Sequence, residues 1–480
     1  MNRASAAFVK SLMSIGPSIL PFADAGSAEL PMPRLLRLSL FQATVGMAAA
    51  LLIGTLNRVM IVELGVPSWL VALMLSLPLL VAPFRALIGF RSDTHRSVLG
   101  WRRVPYIWIG TLLQFGGLAI MPFSLLILSG DTTGPIIIGQ AAAALAFLLV
   151  GAGLHTVQTV GLALATDLAP AHTRPKVVAL LCAMLLVGMG VSALAFGALL
   201  ADFNPIRLIQ VVQGAAVVTI LLNCTALWKQ EARGSLPPAQ ETDFGDAWKR
   251  FATTGRARRR LFATALGTAG FSMQDILLEP YGGRVLHLPV GATTALTSML
   301  ALGSGVGLAI AARWLTRGAD AHRVAGIGAV VGIVAFFAVI FAAPAESSTL
   351  FSVGVTLIGL GGGLFAHGTL TASMETAQPE DRGLALGAWG AAQATAAGLA
   401  IAASGLINDA GAMLAASGAL GEALVGPATG YAIVYVVEII LLFATVVAIG
   451  PLVRFTTPEA AAAADLDLVP SSSFNPGVMR

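Results

Sequence analysis

The chain has 480 residues, 56% hydrophobic and 11% charged, with a mean hydropathy of +0.84. A soluble domain carries about 25% charged residues, so an ordinary water-soluble fold is excluded. Cys182 and Cys224, both inside apolar segments, argue against a disulfide framework, and the net charge of +4 is informative only through where the charges lie.

Residues 1–37 do not read as a cleavable signal, because Lys10 interrupts the apolar part and the run before Pro17 is short. Ala4, Phe8, Leu12 and Ile15 fall on one helical stripe, as in an interfacial helix stopped by Pro17; a disordered tail is the alternative. Apolar runs long enough to cross a bilayer then recur to the end of the chain. They predict an all-α polytopic membrane protein with twelve transmembrane helices, at about 38–62, 68–90, 104–128, 136–166, 176–200, 207–228, 261–286, 291–315, 324–343, 349–375, 384–408 and 430–453. The fourth and tenth are long enough to tilt or protrude. The expected organisation is an N-terminal segment (1–37), a six-helix bundle (38–228), a linker (229–260), a second six-helix bundle (261–453) and a tail (454–480). In the linker, Trp248 and Phe251 could dock on the bilayer beside Arg256 and Arg258 to Arg260, although a plain topology-setting linker explains the same residues.

With both termini cytoplasmic, 24 of the 28 Lys and Arg fall on the cytoplasmic side. The exceptions are Arg58, Arg85, Arg207 and Arg284. Such an asymmetry orients a multi-pass chain, and Trp101, Trp108, Trp228, Trp314 and Trp69 sit near span ends as an aromatic belt would.

The two halves read as a duplication. Asp167 and Arg174 follow the fourth span at the spacing that Glu375 and Arg382 keep after the tenth. Gly153 precedes Asp167 as Gly361 precedes Glu375, and Leu40-Phe41 with Gly46 matches Leu261-Phe262 with Gly267. A parallel six-span repeat is the architecture of the major facilitator superfamily. Asp93 followed by Gly100-Trp101-Arg102-Arg103 resembles that superfamily's loop motif, in which an Asp and basic residues clamp neighbouring helix ends; Arg317 to Arg323 is a weaker counterpart.

Polar residues inside the spans are the candidate functional groups. Asp275 and Glu279 share a helical face, with Pro280 expected to kink or end the seventh span. Asp275 lies about 21 Å and Glu279 about 27 Å into that span. Arg58, next to Asn57, lies about 30 Å into the first, so an Arg58–Glu279 ion pair is expected. His155 on span four, His367 in the Gly-rich run Gly359 to Gly368, and His287 near the end of span seven are candidate axial ligands for the metal of a tetrapyrrole. Their ordinary alternative is a hydrogen bond to a backbone carbonyl, and glycines admit a packed helix as readily as a flat ring. His95, His172 and His322 read as solvated loop residues.

No phosphate-cradling motif, metalloprotease histidine pair, cysteine cluster or serine-nucleophile motif is present, which argues against an enzyme or an ATP-driven pump. Leu56-Asn57-Arg58-Val59-Met60-Ile61-Val62-Glu63-Leu64-Gly65-Val66-Pro67, Trp101 to Tyr106 and Gln274 to Gly283 resemble the PucC/LhaA family. This is the bacteriochlorophyll-delivery branch of the major facilitator superfamily in purple photosynthetic bacteria, and the resemblance covers roughly residues 34–455. It implies an assembly factor in the inner (intracytoplasmic) membrane that binds bacteriochlorophyll, with carotenoid or lipid as further ligands. The implied partners are light-harvesting antenna polypeptides, the reaction centre–LH1 complex, pigment-synthesis enzymes and the lipid bilayer, with no nucleic acid. The length of the chain leans toward the LH1 member over the LH2 member. The alternative from another class is a proton-coupled secondary transporter of a small solute, with Asp275 as its titrating carboxylate.

Overall fold

The computed structural model describes residues 25–27, 29–80, 88, 92, 100–130, 134–170, 173–231, 256–375 and 382–453. The N-terminal stripe, Asp93, His95, His172, most of the linker and the tail lie outside the described residues.

Proline sets where several helices begin, since its missing N–H costs nothing in a first turn. It occupies that turn in α1 (Met32–Ala49), α3 (Val104–Leu128), α5 (Arg174–Leu199) and α6 (Pro205–Leu227), where the Asn204 side chain also accepts from the Ile206 N–H. Between them come α2 (Ser68–Leu80) and α4 (Ile136–Leu168). The second half contains α7 (Ala257–Ser272), α8 (Leu278–Arg284), α9 (Val290–Thr316), α10 (Ala321–Ala342), α11 (Ser348–Glu375), α12 (Arg382–Ala416) and α13 (Thr429–Ile449). At the end of α9, Gly318 takes φ +86° so that its N–H reaches Leu315 O at 3.0 Å and the Ala319 N–H reaches Trp314 O at 3.0 Å. That left-handed turn satisfies carbonyls the helix would otherwise leave open.

Eleven described helical stretches are long and apolar enough to span a membrane, and α2, described over a shorter length, is the second expected span and completes the twelve. Two stretches differ from the expectation. Beyond α1 the first span winds as a π-helix over Ala50–Leu56 and again over Val59–Glu63. The seventh span breaks at a 3-10 turn, Met273–Ile276, upstream of the expected Pro280 kink. Pro280 instead sits in the first turn of α8, where it needs no hydrogen bond.

Helix pairing repeats with a six-span shift. In the first half α1 packs on α4, α5 and α6, α3 on α4 and α6, and α2 on α4. In the second, α7 packs on α11, α12 and α13, α10 on α11 and α13, and α9 on α11. Two pairings of long α-helices join the halves, α2 with α12 and α5 with α9, and the same shift exchanges them. The architecture is that of the major facilitator superfamily.

Glycines permit the closest crossings. On α9, Gly303 and Gly307 face the backbone of α11, and on α11, Gly359 and Gly363 face the backbone of α9. Small residues four apart on both partners let two helix backbones meet, a strong source of association in lipid. The Gly-rich run of α11 is therefore used for helix packing: Gly361 and Gly368 likewise meet α10.

The core shows how the halves are joined. One cluster combines Leu51, Met60 and Met74 of the first half with Tyr281, Leu296 and Tyr435 of the second. At the opposite end, which carries Arg102, Arg103, Arg256 and Arg259 and is called here the basic end, the core splits. One cluster there is purely first-half, with Leu38, Phe41 and Leu164, and another purely second-half, with Ala263, Ala325 and Phe365.

Candidate functional site

The joined end contains a buried polar seam. Its first-half side is the π-wound tip of the first span. Its second-half side is the broken seventh span, where the 3-10 turn leaves the Gln274 N–H and the Asp275 carbonyl to bond partners on other helices. Short α8 is anchored by Tyr281, whose hydroxyl donates to Val339 O at 3.1 Å and whose ring packs edge-on against Tyr435 at 5.6 Å.

Arginines cross the seam in both directions. Arg58, 4% exposed, donates to Leu288 O of the second half at 3.4 Å. Arg284 donates to Ile61 O of the first half. Asn57 adds a bond from Nδ2 to Asp275 O at 3.2 Å. Gly283 makes room for this: a Cβ there would lie 2.9 Å from the Arg58 guanidinium carbon.

The expected Arg58–Glu279 pair does not form. Arg58 Nη1 pairs with Glu63 Oε1 at 2.6 Å. In an α-helix residues five apart point to different sides; the π winding of Val59–Glu63 brings the two together. Glu279, 3% exposed, instead accepts from the Thr297 hydroxyl at 2.6 Å.

A third carboxylate, absent from the sequence-based candidates, lies behind the seam. Glu438 of α13 is fully buried and accepts the Gln274 backbone N–H on Oε1 at 2.7 Å. Its position well inside the apolar run Thr429–Ile449 was the available signal. Gln274 also donates from Nε2 to Asp275 Oδ1, so it lies between the two acids.

The basic end holds the loop clamp. Asp167, at the end of α4, receives both Arg102 and Arg103, the latter from Nε at 3.1 Å, while Arg103 Nη1 donates to Ser92 Oγ at 2.6 Å. Glu231, which sequence reading missed, caps α3 by accepting the Arg102 and Val104 N–H groups at 2.7 and 2.9 Å. Arg174, Glu375 and Arg382 stand at helix ends, but their side chains lie outside the described residues.

The candidate pigment ligands are spread out. His155 is half-buried on α4, His367 half-buried on α11, and His287 occupies the α8–α9 loop with φ +54°. Away from all three, a lateral groove between α7 and α13 opens at the membrane-facing surface near the basic end. It is lined by Phe262, Leu266, Ala444, Val447 and Ala448, with Arg259 at its mouth donating to Ala448 O at 2.9 Å.

Solved structures that share the fold include a bacterial homolog of the human lysosomal transporter Spinster (TM-score 0.63, 16% identity, 87% of this chain and 95% of that one). The nucleoside transporter NupG is another (TM-score 0.62, 15% identity, 87% and 99%). Among curated proteins, Protein PucC of Rhodovulum sulfidophilum is 57% identical over 85% of this chain and 92% of its own length. A Rhodobacter capsulatus protein named only for its place in the puhA-bchM intergenic region is 56% identical over 92% and 93%. These near-equal identities leave the leaning toward the LH1 member without support. A family model described as PUCC protein matches residues 55–457, a stretch that begins just before Asn57 and Arg58 and takes in both sides of the seam. The chain belongs to the PucC family.

Proposed function

We propose that this chain is an assembly factor for light-harvesting antenna, which holds bacteriochlorophyll as cargo and presents it sideways to antenna polypeptides in the inner membrane. It carries out no chemistry of its own. Bacteriochlorophyll is a flat magnesium macrocycle with a long apolar tail, so a carrier needs an apolar surface open to lipid. The α7–α13 groove is the observation that carries this reading: its walls are apolar, it opens laterally, and Arg259 offers donors to a pigment carbonyl. The groove contains no histidine, so it suits the edge and tail of the pigment, and axial ligation by His155, His287 or His367 would need a second site. Carotenoid or lipid would fit the same walls. The reaction centre–LH1 complex and pigment-synthesis enzymes are the proposed partners beyond the antenna itself.

Protein purified from a pigmented host is expected to carry tetrapyrrole absorption, and Ala444→Trp, which fills the groove, to lower the bound pigment about tenfold, equivalent to about 1.4 kcal/mol. A deletion strain should assemble less antenna while pigment synthesis continues. Purified wild-type protein with no tetrapyrrole and no antenna contact would overturn the reading. A second reading, a proton-coupled solute transporter, draws on the buried carboxylates of the seam and on the transporter fold. It would prevail if the deletion strain assembled normal antenna and failed to take up a soluble nutrient.

The proposed orientation puts the basic end in the cytoplasm. A reporter fused within 229–260 is expected to read as cytoplasmic, because eight Lys and Arg there oppose export. A periplasmic signal at that loop would contradict the orientation.

A further inference from the structure

Half-buried Asp275 and buried Glu279 and Glu438 place three carboxylates around one turn of the seventh span, and among the described residues no ion pair reaches any of them. The nearest cations are committed elsewhere: Arg58 to Glu63, and Arg284 to the Ile61 carbonyl. A carboxylate charge in a bilayer core costs about 2.5–3.5 kcal/mol to insert, and neighbouring like charges raise that cost. Hydrogen bonds only partly answer it. Glu279 has the Thr297 hydroxyl and Glu438 has one backbone N–H.

Three oxygens around the group are buried with no partner: Glu438 Oε2, Gln274 Oε1 and the Tyr435 hydroxyl. Glu438 and Tyr435 are both fully buried and lie three residues apart on α13, so they share a face of that helix. Buried polar atoms are normally satisfied, so open oxygens beside uncompensated acids mark a place where something positive belongs. Hard oxygen donors suit a small hard cation and disfavour soft metals.

We propose that the seam holds one exchangeable monovalent cation, a proton or a sodium ion, between Glu438 and Asp275 with Gln274 as the bridging residue. The charge change is balanced: a carboxylate gains the cation on binding and is left anionic on release. Release leaves two acids facing each other beside Asn57, whose bond to Asp275 O is one of the ties between the halves. Occupancy therefore favours the joined state of this end. The other ionisable groups around the site are Glu279, Tyr281 and Arg284 on α8, Asp409 on α12, Tyr431 and Tyr435 on α13, and, across the seam, Arg58 and Glu63. The proposal holds whether the cargo is a pigment or a solute.

The test uses the full-length protein in lipid nanodiscs and follows its melting temperature against pH, in sodium and in choline buffers. If the ligand is a proton, the folded state binds more protons than the unfolded one. Stability then falls as pH rises out of the ordinary carboxylate range, by about 2 °C per pH unit, with no response to sodium. If it is sodium, adding sodium at alkaline pH restores the melting temperature and choline does not. In either case Glu438→Gln should flatten the response. A wild-type protein indifferent to both, or a Glu438→Gln protein that responds as wild type does, overturns the proposal. Should Glu438→Gln fail to fold, a hydrophobic carbodiimide decides on the wild type, since it modifies only protonated carboxyl groups. Modification of Glu438 or Asp275 in sodium-free buffer, suppressed at alkaline pH or by sodium, supports the site; no modification of either at any pH refutes it.

Discussion

Gly359→Leu is expected to leave almost no folded protein, whereas Gly116→Leu, in an equally apolar helix, is expected to keep near wild-type yield. A Cβ at Gly359 would fall within 2.9 Å of Ser304 N and 3.0 Å of the Leu300 carbonyl carbon, both rigid backbone of α9. Nothing lies within 4 Å of a Cβ at Gly116. Overpacking a yielding core costs about 1–3 kcal/mol; forcing two helix backbones apart should exceed that, since the whole α9–α11 crossing must open. Size-exclusion profiles of fluorescent-protein fusions report the outcome directly. Equal monodisperse yield for the two variants would show that the α9–α11 crossing is looser than described.

Arg58→Met should cost about 2–4 kcal/mol of stability, chiefly because it removes a buried charge that ties Glu63 and the Leu288 carbonyl. The partner matters more than the size. In a double-mutant cycle, Arg58→Met and Glu63→Gln should couple by about 1 kcal/mol, while Arg58→Met and Glu279→Gln should be nearly additive. Glu63 is 35% exposed, which keeps that coupling modest. Stronger coupling to Glu279 than to Glu63 would restore the pairing that helix depth alone suggests.

That contrast shows what could be read from the chain and what could not. Spans four and ten, expected at 136–166 and 349–375, are helices Ile136–Leu168 and Ser348–Glu375. Hydrophobic length is a local property, so it survives translation into structure. The duplication was legible for the same reason: Asp167 and Glu375 both mark a helix end by spacing alone. Arg102 and Arg103 do clamp a helix end, but the acid they meet is Asp167 of α4; Asp93, the acid of the loop motif, lies outside the described residues. Side-chain partners were harder. Depth arithmetic for Arg58 assumed a uniform α-helical rise, and no residue between Ala50 and Glu63 announces π winding. Pro280 signalled a break in the seventh span correctly in kind and wrongly in place, because a proline is compatible with the start of a helix as well as with its end. Glu438 was visible as an acid in an apolar run, yet its tie to Gln274 joins residues far apart in sequence, which pattern alone does not pair. Eleven is also longer than expected: α12 continues to Ala416, past the expected end at 408, carrying Asp409 to the Trp69 N–H of the other half.

The π-wound tip of the first span bears on how such a chain can change length over generations. A π turn is what an α turn becomes when it absorbs one added residue while the turns on either side keep their own hydrogen bonds. Met32–Glu63 has 32 residues, and a straight α-helix of that size would reach about 48 Å, well beyond a ~30 Å hydrocarbon core. A small part of that surplus is taken up by the tighter rise of the π winding over Ala50–Leu56 and Val59–Glu63. Losing a single residue within Ala50–Leu56 would convert π winding to α winding and leave Arg58 and the residues before Ala50 in phase with their neighbours, whereas a loss within Val59–Glu63 would undo the register that pairs Arg58 with Glu63. In a regular packed span the same deletion would turn every later side chain by about 100°. The Ala50–Leu56 stretch of the first span is thus able to accept a deletion without the rest of the helix being rebuilt.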